Sequence, residues 1–135
     1  MKRMHVGMKV DDVESSIEFY AKLFGRPPTL QRSDYAKWML DDPCVNFSVY
    51  DHGDGEACVD HLGIQVETET ALEQVRGEWD EAGLTRQDQD DLVCGYQRQD
   101  KSWVFDPHSM PWEVFVTHGV VDGYGTNEMP TDPSH

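Results

Sequence analysis

Polar and apolar residues alternate over two short stretches, His5-Val6-Gly7-Met8-Lys9-Val10 and His61-Leu62-Gly63-Ile64-Gln65-Val66. A period of two predicts strands. One face of each carries His, Gly and Lys or Gln, and the other is purely apolar and suited to packing under a helix. A helical pattern follows both times. Val13, Ile17, Tyr20, Ala21 and Phe24 recur at helical spacing behind Asp11-Asp12-Val13-Glu14, a capping-box spacing with Asp as the cap, and Gly25 ahead of Pro27-Pro28 ends the run. In the second half Thr70-Ala71-Leu72-Glu73 gives the same start signal. Leu72, Val75, Trp79 and Ala82 form the stripe there, with Gly83 as the stop. The halves also end alike. Trp38-Met39-Leu40-Asp41-Asp42-Pro43 and Trp103-Val104-Phe105-Asp106-Pro107 each run from a strand into an Asp-Pro turn, and short strands follow at Asn46–Tyr50 and Pro111–Phe115.

The chain is therefore an internal repeat, each half reading strand, helix, then two or three strands. Its class is α+β, built from two βαβββ modules at about residues 3–50 and 59–117 of a single domain, 1–118. Residues 119–135 lack periodicity and are expected to form a flexible acidic tail. The 135 residues suffice for one compact domain. No apolar run reaches the ~18 residues of a membrane helix, and no apolar leader stands behind Met1-Lys2-Arg3, so the cytoplasm is the expected compartment. A formal net charge of −15 with no basic stripe argues against nucleic acid as a partner. Cys44, Cys58 and Cys94 are odd in number and widely spaced, which predicts neither a disulfide framework nor a CxxC zinc site.

Two βαβββ modules, each opened by His, resemble the vicinal oxygen chelate superfamily over roughly residues 3–117. That resemblance implies a curved mixed-sheet cleft around one metal site, with four ligand slots on the first and last strands of the modules. Aligning the last strands sets Ser48 on Glu113, so the slots hold His5, Ser48, His61 and Glu113. Serine is a poor ligand for a divalent ion. Two His and one carboxylate with open positions suit non-haem Fe(II), and also a catalytic zinc, Mn(II) or Ni(II), and the ligand set alone does not choose. Gly7 and Gly63, two residues beyond each His, are expected to leave room for substrate or oxygen. His52, His108, His118 and His135 read as surface histidines.

Several segments narrow the resemblance: Ser33-Asp34-Tyr35-Ala36-Lys37-Trp38, Asp60-His61-Leu62-Gly63-Ile64-Gln65-Val66, Gln99-Asp100-Lys101-Ser102-Trp103-Val104 and Trp112-Glu113-Val114-Phe115. They are similar to the branch of cadmium-induced proteins and organoarsenical carbon–arsenic lyases. This implies an Fe(II)-dependent dioxygenase with His5, His61 and Glu113 as iron ligands, acting on a small-molecule substrate with O2. The branch typically carries two adjacent cysteines where this chain has Cys94-Gly95. Cys94 is expected either to hold arsenic, alone or helped by Cys58 or Cys44, or to be a small buried hydrophobe. Tyr96, Lys101 and Tyr35 are candidates to supply protons or hydrogen bonds. Two other classes stand beside this one. One is an O2-independent metal-dependent lyase, isomerase or thiol transferase, and the other is a binding or sequestering protein without turnover. A homodimer is expected, because open curved sheets leave edges to cover.

Overall fold

The structure, a computed structural model, describes residues 1–52, 55–126 and 129–133. Gly53 and Asp54 in the turn between the halves, and His135 at the end, lie outside the described residues. The elements are β1 (Arg3–Lys9), α1 (Val13–Phe24), β2 (Leu30–Arg32), β3 (Tyr35–Asp41) and β4 (Cys44–Tyr50). The same order then recurs as β5 (Cys58–Val66), α2 (Glu69–Glu81), β6 (Gln87–Cys94), β7 (Gln97–Phe105) and β8 (Pro111–Val120). The strands form one curved mixed sheet, ordered β2-β3-β4-β1-β5-β8-β7-β6.

The two first strands make the seam between modules. β1 and β5 pair antiparallel with His5 opposite Gly63 and Gly7 opposite His61. Each then pairs in parallel with the last strand of its own module, placing Gly7 beside Ser48 and Gly63 beside Glu113. Because side chains alternate across a sheet, these positions share one face, and the apolar partners turn to the other. There α1 seats Val13, Ile17, Tyr20 and Phe24 against Trp38 and Phe47. In module two, α2 seats Leu72 and Val75 against Val66, Val114 and Val116. The helices therefore cover one face and leave the other as a cleft.

The Asp12 side chain caps α1 by accepting from the backbone of Glu14 and Ser15, and Gly25 closes the helix at φ 75°. The cap of α2 is Thr68, two residues before the expected start at Thr70, and its hydroxyl accepts from Ala71 N at 3.0 Å. Thr68 continues the extended backbone out of β5, whereas Thr70 is already inside the helix. The tail boundary also differs from the expected one. β8 runs on to Val120 because its ladder with β7 extends to the Gln97–Val120 pair. Beyond it the chain returns to the free edge of β6, where Thr126 N donates to Val93 O at 3.0 Å and Gly95 N to Thr126 O at 3.1 Å. Among the described residues no helix is long and apolar enough to cross a membrane.

Candidate metal centre

His5, His61 and Glu113 come from three neighbouring strands and converge on the cleft floor. Nε2 of His5 and Nε2 of His61 lie 3.0 Å apart, and Glu113 Oε1 is 3.6 Å from the first and 3.8 Å from the second. The circle through three atoms so spaced has a radius of about 2.0 Å, close to the ~2.0–2.1 Å of a metal–imidazole bond.

What stands behind each ligand decides which atoms face inward. His5 Nδ1 donates to the backbone carbonyl of Asn46 at 2.9 Å, and His61 Nδ1 to Asp60 Oδ1 at 2.5 Å. A neutral imidazole has one N–H, so both Nε2 atoms are left as bare electron pairs aimed at each other and at a carboxylate. Burial, and then the neighbouring His61, lower the pKa of His5 to about 4, which keeps its ring neutral. Burial alone would raise the pKa of Glu113, but the ammonium of Lys101, bound to Oε2 at 2.9 Å, helped by the two histidines, holds the group below the usual carboxylate range. Three lone-pair donors crowded into a buried space are a stable arrangement only with a cation among them. The residues present thus fit a divalent metal.

The glycines make room for the side chains of the candidate donors. A Cβ on Gly7 would stand 2.1 Å from the His61 ring, and one on Gly63 would stand 2.7 Å from Glu113 Cγ and 2.8 Å from its carbonyl oxygen. Each glycine opens space for a ligand on the adjacent strand, which corrects the expectation of room for substrate. The cause is the seam register, which sets every His across from the other module's Gly. Asp60 owes its position to the same strand pair. The ladder slips between Gly7 and Met8, whose partners are His61 and Val59, so Asp60 is a bulge residue with its carboxylate turned to its neighbour's ring. Tyr50 also donates to Asp60.

Above the floor is a cleft of about 550 Å³, counting the solvent at its mouth. Its walls include Tyr35, Tyr50, Trp103, Cys94 and Gly95, together with Tyr124 and Met129 from the returning C-terminal segment. The fourth slot, Ser48, is buried in the wall, with its hydroxyl 3.1 Å from the Tyr35 phenol. Two buried side-chain oxygens in this lining, Asn46 Oδ1 and Gln99 Oε1, have no hydrogen-bond partner among the described residues.

No family model matches the chain. It is, however, 40% identical over 130 residues to the trivalent organoarsenical cleaving enzyme of Bacillus sp. (strain MD1), covering 94% of this chain and 80% of that one. The chain belongs to that family. It is also 28% identical to the cadmium-induced protein CadI of Mycobacterium tuberculosis, over 99% of this chain and 88% of the relative. Among solved structures, a homoprotocatechuate 2,3-dioxygenase variant from Brevibacterium fuscum superposes with a TM-score of 0.63 at 17% identity. That match spans 90% of this chain and 34% of the dioxygenase, and it is a likeness of fold. The fold is that expected from the resemblance to the vicinal oxygen chelate superfamily.

Against this family background the remaining expected residues divide. Cys94 lines the cleft, and burial pushes its thiol pKa up while the nearby Lys101 ammonium opposes the shift. Lys101 is fully buried and bound to Glu113, so its contact is with a floor ligand. The Tyr96 phenol points away to Asp34, donating at 2.6 Å, and Tyr96 is not part of the cleft lining. Cys44 and Cys58 are likewise not in that lining. His52, expected on the surface, pairs with Asp34 at 2.5 Å and stacks on Tyr124 at 3.6 Å between ring centres. Sequence reasoning missed Asp60, Asn46 and the segment carrying Tyr124 and Met129. An acid directly before His61 was the one available signal.

Proposed function

We propose that this protein is a metal-dependent enzyme that cleaves the carbon–arsenic bond of trivalent organoarsenicals, with Fe(II) held by His5, His61 and Glu113. The observation that carries this reading is the convergence of two bare imidazole nitrogens and one carboxylate oxygen below a cleft that holds a thiol. The substrate class follows the relative that is 40% identical and named for that cleavage. Bound Fe(II) would supply open positions where substrate and O2 meet on one ion, removing the cost of bringing them together.

The chain's own groups have separable tasks. Asp60 and the Asn46 carbonyl fix the tautomer and orientation of the two rings. Lys101 occupies Glu113 Oε2, so Oε1 alone faces the histidines. Cys94 offers a soft sulfur to a soft arsenic centre, and burial keeps the thiol protonated until arsenic displaces the proton. Burial likewise raises the Tyr35 phenol to about 12, so it stays a hydrogen-bond donor at neutral pH. The enzyme works as a cytoplasmic homodimer.

The test is metal content by mass spectrometry after anaerobic purification, with His61→Ala beside it, followed by assay of methyl and aromatic trivalent arsenicals with and without O2. About one iron per chain, lost in the variant, with O2-dependent release of arsenite, is the expected result. Zinc, manganese or nickel with no need for O2 would shift the reading to an isomerase or thiol transferase. Failure to take up any metal would leave a binding protein.

A further inference from the structure

Resting on the reading above, we propose that Asn46 and Gln99 are specificity residues, selecting arsenicals whose aryl group carries an N–H or O–H donor. Asn46 is on β4 and Gln99 on β7, the strands that flank β1, β5 and β8 with their floor ligands. Both residues line the cleft, and Asn46 is only 1% exposed and Gln99 5%.

Each amide is tied by its nitrogen. Asn46 Nδ2 donates to Gln65 Oε1 at 3.0 Å, and Gln99 Nε2 donates to Gln97 Oε1 and to Thr117 Oγ1, both at 3.2 Å. The carbonyl ends are what remain, and neither Asn46 Oδ1 nor Gln99 Oε1 has a partner among the described residues. An amide held in this way presents an acceptor to the cleft. A buried acceptor left without a donor costs free energy, so a ligand that brings the donor gains by it. Donors of the same lining are already committed elsewhere. The Tyr50 phenol donates to Asp60, Trp103 Nε1 donates to Gln89 Oε1 at 2.9 Å, and the Tyr35 and Ser48 hydroxyls bond each other.

The rest of the lining sets the kind of group that would carry the donor. Tyr35, Tyr50, Trp103 and Tyr124 contribute aromatic rings, and His61 meets Trp103 edge-on at 5.7 Å between centres. Aromatic walls favour a flat ring between them. A ring with an amino or hydroxyl substituent suits both parts of the lining, since its carbon meets rings and its donor meets an amide oxygen. A methyl group of similar size in that place leaves the oxygen unpaired, which is how a polar site rejects an isostere. The preference involves no bond making and is independent of the thiol, because the compared ligands share the same As(OH)2 head.

The experiment uses the Fe(II)-loaded chain without O2, carrying Cys44→Ser and Cys58→Ser so that Cys94 is the same single thiol throughout. The metal-free chain is run beside it, so that the comparison decides whether or not iron is taken up. Meta- and para-aminophenylarsonous acids are set against their methyl counterparts, and arsenic retained per chain is measured over a concentration series. At least one amino compound is expected to bind about ten-fold tighter than its methyl twin. In Asn46→Leu with Gln99→Met that ratio is expected to fall to about one. The ratio is the readout, because a cleft that is merely loosened weakens both members of a pair. Should Asn46→Leu fail to fold, Gln99→Met alone is expected to lower the ratio by about three-fold. Equal or tighter binding of the methyl compounds, a ratio unchanged in the variants, or retention of none of the four would overturn the inference. Release of arsenite under O2 is followed separately. The expected ratio without release would refute the cleavage reading and leave the selectivity standing.

Discussion

The two modules set different pairs at the same station of the fold. In module one Ser48 lies across from Lys37 and beside Gly7, with Tyr35 two residues along β3. In module two Glu113 lies across from Trp103 and beside Gly63, with Lys101 two residues along β7. The contacts correspond as well: a neutral phenol–hydroxyl pair at 3.1 Å in one, a buried ammonium–carboxylate pair at 2.9 Å in the other. A carboxylate ligand in this interior requires its own cation, and where the slot is empty of charge its supporter is neutral too. The helix sides differ in the same direction. Module one packs aromatic rings under α1, whereas α2 buries Arg76, which binds Ser102 Oγ at 2.6 Å and the Lys101 carbonyl at 3.0 Å. The polar supports of module two thus brace the strand that holds the partner of Glu113.

The comparison breaks most sharply if the charged slot is neutralised. Glu113→Gln is expected to lower metal affinity by more than the ~10–100-fold typical of losing an outer partner, read by metal titration. Filling the neutral slot is the converse. Ser48→Glu puts a carboxylate beside the Tyr35 phenol in a buried wall, without the close ammonium that Lys101 gives Glu113, and is expected to destabilise the metal-free protein by about 3 kcal/mol in urea melts. Tyr35→Lys in the same chain should recover at least half of that, the signature of a coupled pair in a double-mutant cycle.

A third test concerns Lys37, whose counterpart is Trp103. Burial lowers its amine pKa to about 8, against ~10.4 unfolded. The unfolded state therefore binds the proton more tightly, so the penalty is full below pH 8 and fades as pH rises to ~10.4. Lys37→Met should stabilise the protein by about 2 kcal/mol at pH 7, with the gain vanishing near the upper limit in urea melts run across that range. The smallest effect is expected for Asp60→Asn, which keeps the shape but removes the charge behind His61. Metal affinity should fall by about ten-fold, again by titration.

Much of this centre was legible in the residues. The His-x-Gly repeat and the alignment of last strands named His5, His61 and Glu113, because alternation and repetition are local properties. What local patterns could not show was the seam. Gly7 and Gly63 are explained only by residues on other strands, at 2.1 Å and 2.7 Å from where a Cβ would stand. The bulge that aims Asp60 arises from a slip against β1, which no spacing within β5 reveals. The cap of α2 moved to Thr68 because two threonines flank Glu69 and the strand exit chose between them. The described residues beyond Val120 look structureless in sequence because their contacts include backbone bonds to the end of β6, a bond from the Gln87 side chain and single rings on the cleft wall, none of which leaves a period.

The antiparallel seam between β1 and β5 has a thermodynamic consequence. His5 and His61 of the seam and Glu113 of the adjoining β8 come from both halves of the chain, so a half-folded molecule presents no complete set of donors, and under the proposed metal reading ion uptake and module docking would be one linked equilibrium. By mass action a metal at about 1,000 times its dissociation constant adds ~4.1 kcal/mol to folding, comparable with the whole stability of a marginal domain. Under the proposed metal reading, loaded chains would persist longer than empty ones, and the abundance of the folded protein would follow free ion supply.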